Sequence, residues 1–194
     1  LFSTLARRGF WIEERVKIAG LHTPDAKAPG ETTLVLVRLS ALGRELLMAC
    51  GVEAAPAEWE QLMALGVMDA RQAALVCAFT YHARLRGYAT AVQPATTGDQ
   101  GAAGALAEVW VRRAGGTQRV MVVGDGVDAP DLAAAAPADT ALVTITPAAR
   151  DQLVAAAQTA GAVRGVATDL QTLLAGQSAP GPLWAITWGD QGGG

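Results

Sequence analysis

Two acidic residues flank the stretch AEVWVRRAGGTQRVMVVGDG, residues 107–126, which reads as two short strands around a tight turn. Glu108 lies at the start of the first strand, and Asp125 lies just past the end of the second. Carboxylate oxygens are the ligands that Mg²⁺ prefers, and a bound metal ion can activate water for hydrolysis. Because Mg²⁺ demands near-octahedral geometry, two carboxylates of uncertain register are a poor site on their own.

The same two residues also fit an ordinary hairpin. Glu108 alternates with Trp110 and Arg112, which is typical of a strand residue that faces solvent. Gly-Asp-Gly around Asp125 is a strong turn signal. We therefore interpret Glu108 and Asp125 as vestigial metal-site positions and predict no catalytic residue and no bound metal or cofactor.

Charge is distributed unevenly along the chain. Residues 1–44 hold seven Lys and Arg against four acids, whereas the remaining 150 residues hold eight Arg against fourteen acids. A basic N-terminal part on an acidic remainder suggests a local anionic partner. Five of its seven cations are Arg7, Arg8, Arg15, Lys17 and Lys27.

The helices and strands that position these cations can be predicted from short stretches of the sequence. A helix is predicted to end at Gly9, followed by a half-exposed strand in which polar and apolar residues alternate. A loop rich in Pro, Gly and Asp at 19–31 leads to a second, β-branched strand. A helix then begins after the N-cap Ser40 and ends at Gly51, and Leu42, Leu46 and Leu47 can share one face.

This order, in the text LARRGFWIEERV…TTLVLVRLSALGRELL, resembles the wing of the MarR-like and PadR-like winged helix-turn-helix regulators. The resemblance covers about 45 residues and implies that the five cations contact DNA phosphates, with the loop at 19–31 near a groove. Only one helix precedes the wing, where the family has two or three. The alternative is a solvated basic hairpin used for protein contacts.

Further along, Pro56 begins a predicted connector helix, and a longer helix is predicted over 69–86 with Asp69 as its N-cap and Gly87 after its end. Strands, a helix at about 147–160 behind Thr146 and Pro147, and a Thr168–Gln171 capping box follow. A hairpin followed by an α/β crossover predicts a mixed sheet. The predicted fold class is α+β. Its parts are a partial winged helix over 1–50, a helical connector over 51–68 and a small α/β domain over 69–194.

The order helix, three strands, helix, strand matches the core of the restriction-endonuclease-like fold. The whole chain resembles replication-relaxation-like proteins of bacterial mobile elements, which pair a winged helix with such a core. The PD-(D/E)xK pattern asks for a lysine on the third core strand, where this chain has Asp125 followed by Val127. Its only lysines are Lys17 and Lys27. The resemblance therefore implies a DNA-associated regulatory or replication-type protein with a catalytically inactive nuclease-like domain.

Two other functions remain open from the sequence. The first is a metal-dependent nuclease with a displaced site on Glu108 and Asp125, and the second is a protein-interaction or dimerisation module. DNA is the expected partner and a homodimer is possible. No apolar run approaches the roughly 20 residues that a membrane helix needs, so no membrane association and a cytoplasmic location are expected. Cys50 and Cys77 are predicted to be buried, reduced thiols, and His82 to lie on a helix surface.

Overall fold

The computed structural model describes residue 4 and residues 7–21, 31–64, 69–94, 105–123, 139–175 and 181–189. For residues 93, 94, 105–108, 123 and 139, the description covers the backbone alone. The described part is a mixed α+β structure, as the sequence predicts. The helices are α1 (Ala41–Ala49), α2 (Glu58–Ala64), α3 (Ala70–Leu85), α4 (Pro147–Thr159) and α5 (Leu170–Ala175). The strands are β1 (Trp11–Ala19), β2 (Glu31–Leu39), β3 (Ala89–Pro94), β4 (Ala105–Arg113), β5 (Gly116–Val123), β6 (Asp139–Thr144), β7 (Arg164–Asp169) and β8 (Ile186–Trp188).

Strands β1 and β2 form a separate two-stranded antiparallel hairpin, in register from Trp11 opposite Leu39 to Ala19 opposite Glu31. Because side chains alternate along a strand, one face of the hairpin carries the buried Val16, Ile18 and Leu36. The opposite face is turned away from the core. The alternation predicted for β1 is therefore confirmed.

Helix α1 is fastened to the residues that precede the hairpin. Ser40 caps it by accepting a hydrogen bond from the Gly43 amide, and Ser40 in turn donates its own amide to the Phe10 carbonyl at 3.0 Å. A side chain at Gly43 would collide with the Phe10 carbonyl, so this close approach requires glycine. Leu42 and Leu46 share a face as predicted, but each is nearly half exposed, so this face does not enter the core of the described chain.

The connector helix α2 links the hairpin to α3. Trp59 is buried and donates its indole N–H to the Val37 carbonyl of β2 at 3.2 Å. On the other side, Glu58 accepts two hydrogen bonds from Arg84 of α3, at 2.7 and 2.9 Å. Such a paired geometry is the stronger form of an arginine–carboxylate contact. Helix α2 therefore contacts both the hairpin and α3 through side-chain hydrogen bonds.

The second sheet has six strands in the order β3-β4-β5-β6-β7-β8. The pairs β3–β4 and β4–β5 are antiparallel, β5–β6 and β6–β7 are parallel, and β8 returns antiparallel to β7. The predicted mixed sheet is thus confirmed. The finer assignments to a winged helix and to a restriction-endonuclease-like topology stay predictions, as do the domain boundaries.

The six-stranded sheet carries helices on both faces. Helices α3 and α5 and the inner face of the hairpin share one continuous core with the sheet, and Phe79 is among its largest fully buried side chains. Helix α4 packs on the other face through Leu153, Val154 and Ala157, against β6 and β7. On that face Trp110 of β4 is 39% exposed, which shows that α4 leaves β4 accessible.

Two burial predictions are wrong. Cys50 is exposed, because the C-terminal end of α1 projects away from the core. His82 is 3% exposed, because its side of α3 faces the hairpin and the neighbouring α5 rather than solvent. Within the part of the chain that the structure describes, no helix has the length and apolar character needed to cross a membrane.

Candidate nucleic-acid interface

The outer face of the hairpin presents two of the predicted DNA-contacting cations. Arg15 and Lys17 lie on β1 on the side opposite the buried Val16 and Ile18, and their side chains are 74% and 73% exposed. Two residues of strand separate their Cα atoms by about 7 Å. Successive phosphates of a nucleic-acid strand lie at a comparable spacing, so both side chains can reach one backbone.

Each of these cations has an acidic neighbour on the same face. Lys17 Nζ lies 2.8 Å from a carboxylate oxygen of Glu31, and Arg15 lies 3.9 Å from Glu13. The hydrogen bond from Lys17 to Glu31 and the attraction between their charges raise the pKa of Lys17. Lys17 therefore stays charged at any physiological pH. Exposed pairs of this kind contribute little to stability, so phosphates can replace the carboxylates at small cost.

The remaining predicted cations lie before and within the hairpin. Arg7 and Arg8 are exposed in a helical turn in which the Arg8 amide donates to the Thr4 carbonyl, and Gly9 follows with φ of 75°. This turn leads directly into β1. Lys27 falls outside the described residues.

The predicted vestigial metal positions are only partly visible. Glu108 lies in β4, with its backbone in register between Gln93 of β3 and Met121 of β5. Asp125 falls outside the described residues, as does the side chain of Glu108. Among the described residues no group of three His, Cys, Asp or Glu is placed to hold a metal ion.

A fully buried carboxylate, Asp169, lies at the end of β7 and is not among the predicted site residues. Asp169 accepts hydrogen bonds from the Thr172 amide at 2.7 Å, from the Thr172 hydroxyl at 2.9 Å and from Arg150 of α4 at 2.7 Å. The residue that caps α5 is therefore Asp169, and the predicted Thr168–Gln171 capping box is wrong by one position. The sequence signal for this cap is an Asp three residues before a Thr. These saturated bonds make Asp169 a structural group rather than a general base.

The one cysteine close to a cavity is chemically quiet. Cys77 lies in an apolar groove of about 630 Å³ between β2 and α3. Burial, followed by the nearby carboxylate of Glu58, raises the pKa of the Cys77 thiol to about 12, against a smaller lowering by Arg84. The thiol is therefore protonated near neutral pH, which argues against nucleophilic chemistry in this groove.

The buried His82 is held in its neutral form. Its Nδ1 lies 3.2 Å from a guanidinium nitrogen of Arg86, which also donates to the His82 carbonyl at 2.9 Å. Because an arginine can only donate, Nδ1 must accept and the ring proton resides on Nε2. Burial, and then the charge of Arg86, lower the pKa of His82.

This geometry predicts acid destabilisation through His82. Unfolded His82 titrates near 6.5, and its folded pKa is lower, so the unfolded state binds more protons in the interval between the two values. The stabilisation is complete above about pH 6.5 and is lost as the pH falls through that interval, at up to about 1.4 kcal/mol per pH unit. Urea unfolding of the wild type and of His82→Gln between pH 7.5 and 5.5 measures it. The wild type should lose more free energy of unfolding than the variant over that range, and parallel pH profiles would contradict the assignment.

Comparisons of the chain with protein-family models, curated proteins and solved structures found no match.

Proposed function

We propose that this chain is a DNA-associated protein of a regulatory or replication type, that it contacts DNA phosphates through the outer face of the hairpin, and that its larger sheet domain serves as a scaffold without nuclease activity. The observation that carries the proposal is the placement of Arg15 and Lys17, which project side by side from β1 away from the core. Exposed cations on a two-stranded ribbon can follow a phosphate backbone without reading bases.

The local electrostatics support contact with DNA that depends on salt. Arg7 and Arg8 extend the cationic surface at the start of β1. Glu13 and Glu31 reduce the positive field and set how strongly the face attracts an anion. Neutralising these acids should therefore strengthen DNA binding, whereas removing the cations should weaken it. Both changes lie on the same surface and leave the core unaltered.

The experiment is fluorescence anisotropy of a labelled DNA duplex titrated with the full chain over a series of salt concentrations. The slope of log affinity against log salt is negative, and its magnitude falls by about 0.9 for each phosphate contact that is lost. Arg15→Ala with Lys17→Ala should therefore reduce this magnitude by about 1.8. At 0.1 M salt this corresponds to at most a roughly 60-fold loss of affinity. Glu13→Gln with Glu31→Gln should strengthen binding instead.

Thr33→Ala is the matched control, because Thr33 is exposed on the same face and pairs with Lys17 but carries no charge. It should leave both affinity and salt slope unchanged. If the salt slope of the double variant equals that of the wild type, the DNA contact lies on another surface. Absence of any salt-sensitive binding would remove DNA association as the function.

If no salt-sensitive DNA binding is found, the protein-interaction alternative is favoured, because a separate observation supports it. Helix α1 exposes Leu42, Leu46 and Met48, with Met48 69% accessible. Exposed apolar patches of this kind often mark protein–protein contacts. The displaced-nuclease alternative is tested separately by incubating plasmid DNA with the chain and Mg²⁺ or Mn²⁺, where cleavage abolished by Glu108→Gln would support it.

A further inference from the structure

The apolar groove of about 630 Å³ between β2 and α3 is bounded on one side by the edge of a strand. Four consecutive residues of β2, 34–37, line that side. Neighbouring side chains of a strand point to opposite faces, so four consecutive residues line one groove along the edge of their strand. The groove therefore meets the main chain of β2 as well as its side chains.

This edge of β2 is unpaired in the part of the chain that the structure describes, where β1 is the only strand beside β2. Two hydrogen bonds fix the direction of its main-chain groups. The Ser40 amide donates to the residue that precedes β1, whereas the Val37 carbonyl accepts from the Trp59 indole on the other side. Because the direction alternates along an antiparallel strand, Thr33 and Val35 also point their N–H and C=O groups away from β1.

Helix α3 forms the opposite side of the groove with side chains that leave room for another chain. Ala74, Cys77 and Ala78 lie at positions i, i+3 and i+4, which share one face of a helix, and all three are small. Tyr81 and Leu85 continue the same side and are 58% and 50% exposed. This side is therefore apolar and open to solvent.

The charges beside the groove indicate that its occupant is acidic. No charged side chain is among the described residues of the lining. Behind His82, which lines the groove, the Arg86 guanidinium bonds within the described chain only to the His82 ring and carbonyl and to the Gly181 carbonyl. These bonds use Nε and one terminal nitrogen of Arg86. Its other terminal nitrogen can therefore donate to a carboxylate that a ligand supplies.

An unpaired edge beside an apolar groove favours an extended peptide over other occupants. A peptide strand pairs with the main chain of β2 and directs alternate side chains into the groove, which is the geometry of β-strand addition. A small apolar molecule would leave the main-chain groups of Thr33 and Val35 without partners. A second copy of this chain would have to insert its β2 together with β1, which requires room for two strands.

We propose that the groove binds an extended segment of a partner protein by β-strand addition to β2, with alternate apolar side chains against α3 and a carboxylate of the segment on Arg86. The main chain of the segment pairs with that of Thr33 and Val35. The site goes beyond the proposed contact with DNA, which uses the outer face of the hairpin.

Selection of random decapeptides displayed on phage, against the immobilised full chain, tests the proposal. The enriched peptides should carry apolar residues at alternate positions and an Asp or Glu near one end. A synthetic peptide of the enriched sequence is then titrated with the chain and followed by fluorescence anisotropy. Failure to enrich any sequence, or enrichment of sequences without the alternation or the acidic residue, overturns the proposal.

Methylation of the peptide nitrogens separates main-chain pairing from side-chain contact alone, with the protein unchanged. Alternate N–H groups of an added strand point toward β2 and away from it. Methylating one alternate set should therefore weaken binding by about ten-fold or more, and methylating the other set by less than about three-fold. Replacing the acidic residue by its amide should also weaken binding. Equal effects of the two methylated peptides, or no effect of the amide, would overturn the proposal.

Two variants at one position assign the peptide to the edge of β2. Val35→Pro removes an N–H that points away from β1, and proline is tolerated at such an edge position. It should weaken peptide binding by about ten-fold or more, whereas Val35→Ala keeps the N–H and should weaken it by less than about three-fold. Circular dichroism checks the fold of both variants. Equal losses in the two would show that the main chain of β2 is not the contact.

Two further measurements exclude other surfaces and occupants. Arg15→Ala with Lys17→Ala should leave peptide binding unchanged, because both cations lie on the outer face of the hairpin. A loss of peptide binding in this variant would move the contact to that face and overturn the groove. Light scattering should find the chain monomeric without peptide. A dimer that Val35→Pro converts to a monomer would make a second copy the occupant instead of a partner protein.

Discussion

Arg150→Ala is expected to lower the free energy of unfolding by about 3–5 kcal/mol, because it leaves the carboxylate of Asp169 buried without its charged partner. Asp169 has no solvent exposure, and Arg150 is 12% exposed, so water cannot take over the lost contact at little cost. Urea unfolding followed by tryptophan fluorescence measures the loss. Proteins of this size have total stabilities of about 5–15 kcal/mol, so the variant should be weakened severely.

The chain supplies a matched control for this effect. Arg150 also binds Asp151 at 2.8 Å, but Asp151 is 59% exposed. Asp151→Ala should therefore cost less than about 1 kcal/mol. A double variant, Arg150→Met with Asp169→Leu, should be less damaging than the sum of the two single changes, because no charge remains buried. Equal effects of Arg150→Ala and Asp151→Ala would show that the buried pair contributes no more than the exposed one.

Features encoded by adjacent residues could be read from the sequence. Ser40 caps α1 and Asp69 caps α3 through a side chain that accepts from the Gln72 amide, as the sequence indicates. Thr146 and Pro147 begin α4, and the helix ends at Thr159, one residue before the predicted end. These signals are local because a cap satisfies backbone groups within three residues of itself.

Features that depend on the order of strands could not be read in this way. Arg113, Arg119 and Arg164 line one cleft because of the order of their strands in the sheet, and no local pattern fixes that order. Strand β6 lies between β5 and β7, and the residues that connect β5 to β6 are outside the described part of the chain. Trp110 and Arg119 lie opposite each other across the β4–β5 hairpin.

The burial of polar groups escaped prediction for the same reason. His82 was expected on a helix surface, whereas its side chain is 3% exposed. Its burial depends on the hairpin and on α5, which reach α3 from distant parts of the chain. Conversely, Leu42 and Leu46 show the periodicity of a buried face but remain exposed. Periodicity identifies a face of a helix, whereas its burial depends on what packs there.

Phe79→Ala is expected to destabilise the protein by about 3–5 kcal/mol, which makes it comparable to the loss of Arg150. Phe79 has no exposed surface and lies where α3 meets the sheet and Trp184. Removing its ring deletes apolar contacts and leaves a cavity that the surrounding side chains fill only in part. Urea unfolding at pH 7.5 gives the change in free energy, and Phe79→Leu supplies a milder variant should the alanine variant fail to fold.

The same substitution also removes the ring that packs against Trp184, whose ring centre lies 6.3 Å from that of Phe79. Tyr81→Ala is the matched control, since Tyr81 lies two residues away on α3 and is 58% exposed. It should change the free energy of unfolding by less than about 0.5 kcal/mol. A comparable loss of stability in Phe79→Ala and Tyr81→Ala would contradict a larger contribution of the buried ring than of the exposed one.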